Sequence, residues 1–129
     1  MRALLLALTL AACGTASTGP QLGDSISVPY GASVRVPGDT LSVRFTDVTS
    51  DSRCPSGVQC VWAGEAVVLF TVGNAEQVTL TLGADAAKAH AIVRGYQVVL
   101  KGLAPAPTAG VPTVKSAYVA TLVFTSAKD

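Results

Sequence analysis

The sequence contains very few of the residues that hold metals. Met1 is its only methionine and His90 its only histidine. A copper site built from thioethers needs methionines, and beyond Met1 the chain has none. A zinc site needs three or four convergent ligands, which one histidine does not supply. We expect no metal and no cofactor. His90 lies in an alanine-rich connection, and we interpret it as a solvated residue rather than a ligand.

Charged residues are also scarce, at 13% of the chain, and they form no basic run. Residues 1–12 are interpreted below as a signal peptide. Without them the nine Lys and Arg residues fall to eight, because Arg2 is lost, against eight Asp and Glu. Nucleic-acid binding and electrostatic docking on anionic lipid both depend on an excess of Lys and Arg. The neutral balance argues against both.

Sequence motifs for nucleophilic or zinc-dependent hydrolysis are missing: there is no GxSxG, no SxxK and no HExxH. Three carboxylates near the cysteines, Asp47, Asp51 and Glu65, are candidates for a calcium site or for a pair of catalytic acids. Pairing with Arg44 and Arg53, or capping of turns, explains these carboxylates equally well. We therefore predict that the protein is not an enzyme.

Long helical patterns are absent as well. An apolar period of 3.6 never persists over about eleven residues, and we find no internal repeat. Instead, short segments alternate apolar and polar side chains, as strands do. Such segments begin near Ser25, Ala32, Leu41, Ala66, Val78, Tyr96 and Tyr118. The chain is thus predicted to be all-β.

The pattern predicts a single antiparallel β-sandwich, immunoglobulin-like or Greek-key, with roughly seven to nine strands over residues 25–127. Pro29 indicates an edge strand, because proline cannot donate to a strand ladder. Residues 66–72 are apolar on both faces, which is typical of a central strand. Asp47 falls at an inward position and suggests a bulge or strand end. The proline-rich segment before the last strand favours a Greek-key connection over a simple meander.

The N-terminus predicts an export signal over residues 1–12. Met1 and Arg2 form a minimal basic start, and residues 3–10 (ALLLALTL) are apolar. A membrane-spanning helix needs ~20 apolar residues, far more than this stretch holds. The segment is therefore typical of a cleaved secretion signal and not of an anchor helix.

The residues Leu10-Ala11-Ala12-Cys13 resemble the lipobox of bacterial lipoproteins, in which an aliphatic residue and two small residues precede a cysteine. The resemblance implies transfer of diacylglycerol to the Cys13 thiol, cleavage before Cys13 and, often, acylation of the new amino group. Because each buried methylene contributes ~0.8 kcal/mol, two or three acyl chains hold such a protein firmly on a membrane. The alternative is simple secretion, with cleavage after Ala16.

Residues 13–24 are predicted to comprise the lipidated cysteine and a flexible tether. Residues 14–23 are small and polar and are interrupted by Pro20, a composition typical of flexible linkers. The expected location is the bacterial cell membrane or outer membrane, with the domain facing the periplasm or the exterior. The acyl chains on Cys13 make that membrane the first expected partner.

The three cysteines agree with export. If Cys13 carries lipid, Cys54 and Cys60 form an even pair in an oxidising compartment, where pairing is expected. Five residues separate them, including Pro55 and Gly57. A disulfide across so short a loop stabilises by ~2 kcal/mol in the chain-entropy model. The spacing is not CxxC, so we interpret the disulfide as a structural staple and not as a redox centre.

Residues 52–66 (SRCPSGVQCVWAGEA) resemble a stretch that recurs in small uncharacterised bacterial secreted proteins and lipoproteins. The resemblance implies a shared structural module and supplies no activity. Within it we select a candidate interaction loop, made of Pro55, Ser56, Gly57, Val58, Gln59 and Trp62. For the ring of Trp62 we favour packing over the disulfide at the end of the central strand. The alternative is an exposed aromatic contact on a stapled loop.

The predicted function is that of a membrane-anchored lipoprotein of the bacterial envelope, a non-catalytic binding or structural module. The alternative is an envelope-anchored inhibitor or adaptor that presents the loop between Cys54 and Cys60 to a protein partner. A hydrolase or a metal-binding protein is a third class, since sandwiches host many activities. A glycan ligand would need a concave face lined by aromatic side chains, and the chain has only seven of these.

Overall fold

Eight β-strands make up about half of the described part of the chain, which comprises residue 14 and residues 19–127 in this computed structural model. This number lies within the predicted range. The strands are β1 (Ser25–Pro29), β2 (Ser33–Arg35), β3 (Ser42–Asp51), β4 (Ala66–Val72), β5 (Glu76–Leu82), β6 (His90–Val93), β7 (Tyr96–Ala104) and β8 (Val119–Ser126). Two short 3₁₀ turns, Ala86–Ala89 and Lys115–Ala117, interrupt the loops.

The strands form two four-stranded antiparallel sheets, and the predicted β-sandwich is confirmed. One sheet has the order β1-β8-β7-β6 and the other β2-β3-β4-β5. β1, which contains Pro29, lies at a sheet edge, as its proline requires. β4 lies between β3 and β5, which confirms the prediction of an inner strand for residues 66–72.

The connections differ from the Greek-key path that the proline-rich segment predicted. Residues 105–118, called here the proline-rich loop, join β7 to β8, and these two strands are direct antiparallel neighbours. Within each sheet, consecutive strands follow one another as simple hairpins, and the chain changes sheets after β1 and after β5. The segment is long because it makes contacts of its own at one end of the sandwich, not because it crosses a sheet.

The core is filled by the apolar face of each alternating strand. All three phenylalanines, Phe45, Phe70 and Phe124, are fully buried between the sheets. The rings of Phe45 and Phe70 have centroids 5.6 Å apart, and Tyr30 contacts Phe45 edge-on at 5.3 Å. No buried side-chain nitrogen or oxygen in the described residues lacks a hydrogen-bond partner. The buried core thus comes mainly from strand residues, with Val36 and Tyr118 added from the adjoining connections, and the loop that contains Trp62 adds no residue to it.

β3 is irregular at the place where the sequence predicted a bulge. Its pairing with β4 shifts register between Phe45 and Asp47 and again between Val48 and Ser50. An extra residue in one strand reverses which side chains face inward beyond it. Phe45 and Val48 are therefore both buried although three positions separate them, while Asp47 stays at the partly exposed margin.

The sandwich has two ends with different roles. At one, called here the tether end, β1 begins and β8 finishes, and the N–H of Gly23 donates to the carbonyl of Phe124 at 2.8 Å. At the other, the distal end, β3 and β7 finish and β8 begins. Cys13 and the predicted signal peptide over residues 1–12 lie outside the described residues, as do residues 15–18 of the predicted tether. No helix in the described part is long and apolar enough to cross a membrane.

Candidate functional site

The cysteine loop, residues 52–65, joins β3 to β4 at the distal end, and we call it the stapled loop. Cys54 and Cys60 form a disulfide with their Cα atoms 5.9 Å apart, as the spacing predicted. The crosslink closes the outer half of the loop, and the half nearer the sheet is held by other bonds. The loop is thus restrained along its length although it contains no regular structure.

The base of the stapled loop closes like the end of a strand pair. The N–H of Ser52 donates to the carbonyl of Glu65 at 2.8 Å, and the N–H of Cys54 donates to the carbonyl of Ala63 at 3.2 Å. Gly64 lies between these bonds with φ of +68°, and a Cβ atom there would lie 1.8 Å from the carbonyl oxygen of Ser52. Only glycine fits this close approach. The glycine of the WAG sequence is therefore required by the closure itself.

Arg53 ties the stapled loop to the other sheet. Its guanidinium donates to both carboxylate oxygens of Asp51 at 2.8 Å, and also to the carbonyls of Leu103 at 2.6 Å and Pro105 at 3.0 Å. The hydroxyl of Tyr118 donates to Asp51 at 2.8 Å. The side chains of Arg53 and Asp51 are only 15% and 12% exposed. One planar cation thus joins the end of β3 to the end of β7.

The hydrogen bonds of this network favour the ionised forms of Asp51 and Arg53. Hydrogen bonds from Arg53 hold the pKa of Asp51 below its ordinary value and outweigh the opposing effect of burial. The same bonds raise the pKa of Arg53. Burial raises the pKa of Tyr118, and its hydrogen bond to Asp51 acts in the same direction. A carboxyl whose pKa is lowered in this way is a poor proton donor near neutral pH.

Asp47 pairs with a cation on the proline-rich loop. Nζ of Lys115 lies 2.8 Å from its carboxylate, and the hydroxyl of Tyr30 donates to it at 3.2 Å. The hydrogen bond with Lys115 is the largest cause of the lowered pKa of Asp47, and in return it raises the pKa of Lys115. Of the two arginines considered as partners, Arg53 pairs with Asp51. The cation on Asp47 is Lys115 and not Arg44, which is exposed on β3.

The remaining metal candidates do not converge. Glu65 lies 3.9 Å from Lys88 in a solvent-exposed pair. His90 is exposed at the start of β6, with Nδ1 3.3 Å from the carbonyl oxygen of Ala86. Within residues 19–127, no three His, Cys, Asp or Glu residues come together as a metal site would require. The predicted solvation of His90 is confirmed.

The outer part of the stapled loop projects apolar side chains into solvent. Val58 is 46% exposed, Val61 89% and Trp62 80%, and we call these three residues the apolar tip. The expected packing of Trp62 over the disulfide is wrong, and the exposed alternative is the correct one. At 80% exposure the indole is not covered by packing against the crosslink. Sequence reasoning missed Val61, the most exposed of the three. Its one signal in the sequence is that it is an apolar residue outside any alternating segment.

The stapled loop lies against the proline-rich loop. The N–H of Ser56 donates to the carbonyl of Pro107 at 3.0 Å, and Ser56 forms an isolated bridge with Thr108. The proline-rich loop also carries exposed apolar side chains, Val111 at 61% and Val114 at 66%. Exposed large apolar side chains are therefore concentrated at the distal end. A surface of this kind is typical of a binding site.

Comparisons with protein-family models, with curated proteins and with solved structures find no match to this chain. The assignment of a function therefore depends on the geometry of the distal end. At this end the paired charges of Arg53 and Asp51 hold the stapled loop in place. The side chains of the apolar tip are exposed and take no part in that network.

Replacement of Arg53 tests whether this scaffold holds the loop. Arg53→Ala leaves the nearly buried carboxylate of Asp51 without its cation, and we expect it to lower the free energy of unfolding by roughly 3 kcal/mol. Arg53→Lys should recover only part of this loss, because an ammonium cannot make the same planar set of bonds. Urea unfolding measures both. The control is Arg44→Ala, because Arg44 is exposed, and we expect it to change the free energy of unfolding by no more than about 0.5 kcal/mol. Equal losses for Arg44→Ala and Arg53→Ala would show that the network of Arg53 does not stabilise the fold.

Acidification tests the same network by another route. The pKa of Asp51 is lower in the folded protein than its ordinary value of 3.8, so its ionised form favours folding. This contribution is complete above pH 3.8 and is lost as the pH falls through the folded pKa. The stability difference between wild type and Asp51→Asn should therefore narrow in acid. Urea unfolding from neutral to acidic pH measures the difference, and a gap that widens in acid would contradict the assignment.

Proposed function

We propose that the protein is a lipid-anchored, non-catalytic binding module of the bacterial envelope, and that its apolar tip contacts a protein partner. This corresponds to the inhibitor or adaptor class. Anchoring is supported by the lipobox-like Leu10-Ala11-Ala12-Cys13. Binding is supported above all by one observation, the exposure of Val61 and Trp62 on a crosslinked loop.

The energetics favour binding by such a loop. A large aromatic side chain buries 150–250 Å² on full burial, and at ~25 cal/mol per Å² this is worth about 4–6 kcal/mol before any costs. Binding also has costs, and one of them is the ordering of a loop, at ~0.5–1.5 kcal/mol for each immobilised side chain. In this molecule the disulfide, the Ser52 and Cys54 backbone bonds and Arg53 hold the loop before a partner arrives. Binding at the tip therefore has less loop to order than binding by an unrestrained loop would have.

Other ligand classes receive less support from the same geometry. The aromatic side chains are committed elsewhere: the phenylalanines are in the core, Tyr118 is buried, and Tyr30 and Tyr96 are partly buried with hydroxyls bonded to Asp47 and Asp39. Trp62 alone remains as an exposed ring. A single ring on a projecting loop does not make the concave aromatic face that a glycan would need.

Variants of the tip test the binding proposal. We expect Trp62→Ala and Val61→Ser to leave the midpoint of thermal unfolding nearly unchanged, because neither side chain packs on the core. Trp62 has the character of a binding hot spot, so its loss should weaken capture of envelope proteins by about 30-fold or more. Ile92→Ser is the matched control, because Ile92 is 64% exposed on β6, away from the loop. Equal capture by the Trp62→Ala and wild-type proteins would exclude the tip as the working surface.

Intact mass tests the anchor separately. Protein extracted from membranes should exceed the mass of the chain from Cys13 onward by one diacylglycerol, and by a further acyl group where the amino group is modified. Cys13→Ser should abolish the added mass and the cleavage before residue 13. A soluble wild-type protein that begins at Ser17 and carries no lipid would show simple secretion instead.

A further inference from the structure

The chain that leads to Cys13 leaves the domain at the tether end. Residues 21–24 form a turn closed by Asp24, and Gly23 is bonded to the last strand through Phe124. Further out, residues 19–22 line a shallow cleft together with Pro37 and Gly38, which form the turn between β2 and β3. The chain therefore stays on the tether end at least as far back as Gly19.

The apolar tip lies at the opposite end. β3 runs from beside the Pro37–Gly38 turn to Asp51, where the stapled loop begins. Its ten residues span roughly 30 Å, since each residue of a strand advances about 3.3 Å. Six residue steps separate Cys13 from Gly19 and reach at most about 22 Å when fully extended. The reach of about 22 Å is shorter than the length of roughly 30 Å between the two ends of the sandwich. An inverted domain, with its tip on the bilayer, would therefore hold Gly19 too far from Cys13.

Contact between the tip and its own bilayer would therefore require the sandwich to lie on its side. That orientation would lay the outer face of the β2–β5 sheet against the headgroups, where the exposed Arg35 and Arg44 of β2 and β3 supply two cations. Recognition of anionic lipid takes a cluster of about four to eight cations, and the chain beyond residue 12 has equal numbers of acidic and basic residues. Lipid is thus a poor occupant for the tip.

The chemistry of the tip defines the occupant further. Residues 54–64 include no charged side chain, and the nearest cation, Arg53, is already paired with Asp51. The tip projects, whereas the clefts lined by Leu22, Pro37 and Gly38, and by Asp39 and Tyr96, lie at the tether end. A projecting, uncharged and apolar surface is complementary to a concave, uncharged and apolar one.

We infer that the anchored protein points its apolar tip away from its own bilayer and inserts it into an uncharged apolar cleft of another protein. The inference rests on the proposed function and adds to it the orientation of the site and the class of its partner. Trp62 is the central contact, because it is the largest exposed side chain of the tip. Val61 and Val58 flank it.

Trp62 is also the only tryptophan of the chain, so intrinsic fluorescence reports on the tip alone. The test uses the lipidated full-length protein in phosphatidylcholine vesicles whose acyl chains carry bromine, a short-range quencher. We expect no loss of Trp62 emission relative to unbrominated vesicles, and quenching by dissolved acrylamide as strong as in the unlipidated protein. The matched control is Leu22→Trp in a Trp62→Phe background, which places the indole at the tether end and should show stronger bromine quenching. Loss of Trp62 emission in the brominated vesicles would overturn the orientation and leave the binding proposal standing.

The partner class is tested by a photo-crosslinking residue placed at Val61 of the anchored protein in cells. We expect an adduct with a different protein, which is lost when Trp62→Ala is added and is not formed from the same residue placed at Ile92. An adduct of twice the chain mass would show self-association and would overturn the inference, as would an adduct with lipid alone. Absence of any adduct from position 61 would remove the proposed function together with the inference.

Discussion

The distal end of the molecule depends on the ion pair between Arg53 and Asp51. Three segments meet there: the stapled loop, the end of β7 and the start of β8. β7 and β8 pair with each other, but among the described residues no strand ladder joins the stapled loop to either of them. The guanidinium reaches two of them, through Asp51 and through the carbonyls of Leu103 and Pro105, and Tyr118 adds the third. Breaking a pair that is shielded from water costs more than its formation gains, because the remaining charge has no partner. This makes the pair a specific constraint on how the loops are arranged.

The residues of the stapled loop divide into two sets with opposite tasks. Arg53, Cys54, Cys60 and Gly64 hold the loop, and each has a contact that another side chain could not reproduce. Val61 and Trp62 make no comparable contact and are exposed. Most of residues 52–66 is thus explained by folding alone. The exposed tryptophan is not, and this is the observation on which the proposed binding function rests.

Local patterns predicted the strands well, because alternation, the proline of an edge strand and the bulge at Asp47 all depend on neighbouring residues. Two other features could not be derived in this way. The contacts of Arg53 with Leu103 and Pro105 link positions about fifty residues apart, and no local pattern reports such a pairing. The exposure of Trp62 depends on how the stapled loop is held against the rest of the molecule, which the residues around Trp62 do not report. The length of the proline-rich loop led to a wrong prediction of a Greek-key connection. That length reflects contacts with the stapled loop, which are again long-range, and not a path between sheets.

The position of β1 determines how the domain carries mechanical load. β1 is the first strand after the tether, and it pairs with β8 through five antiparallel residue pairs, from Ser25 with Val123 to Pro29 with Val119. With the N-terminus anchored and a partner held at Trp62, as proposed, a pull between these two points would run along these strands, at right angles to their hydrogen bonds. The bonds are then loaded together in shear and do not open one after another as in a zipper. An edge strand, usually the weakest part of a sheet, is thereby used in its strongest direction.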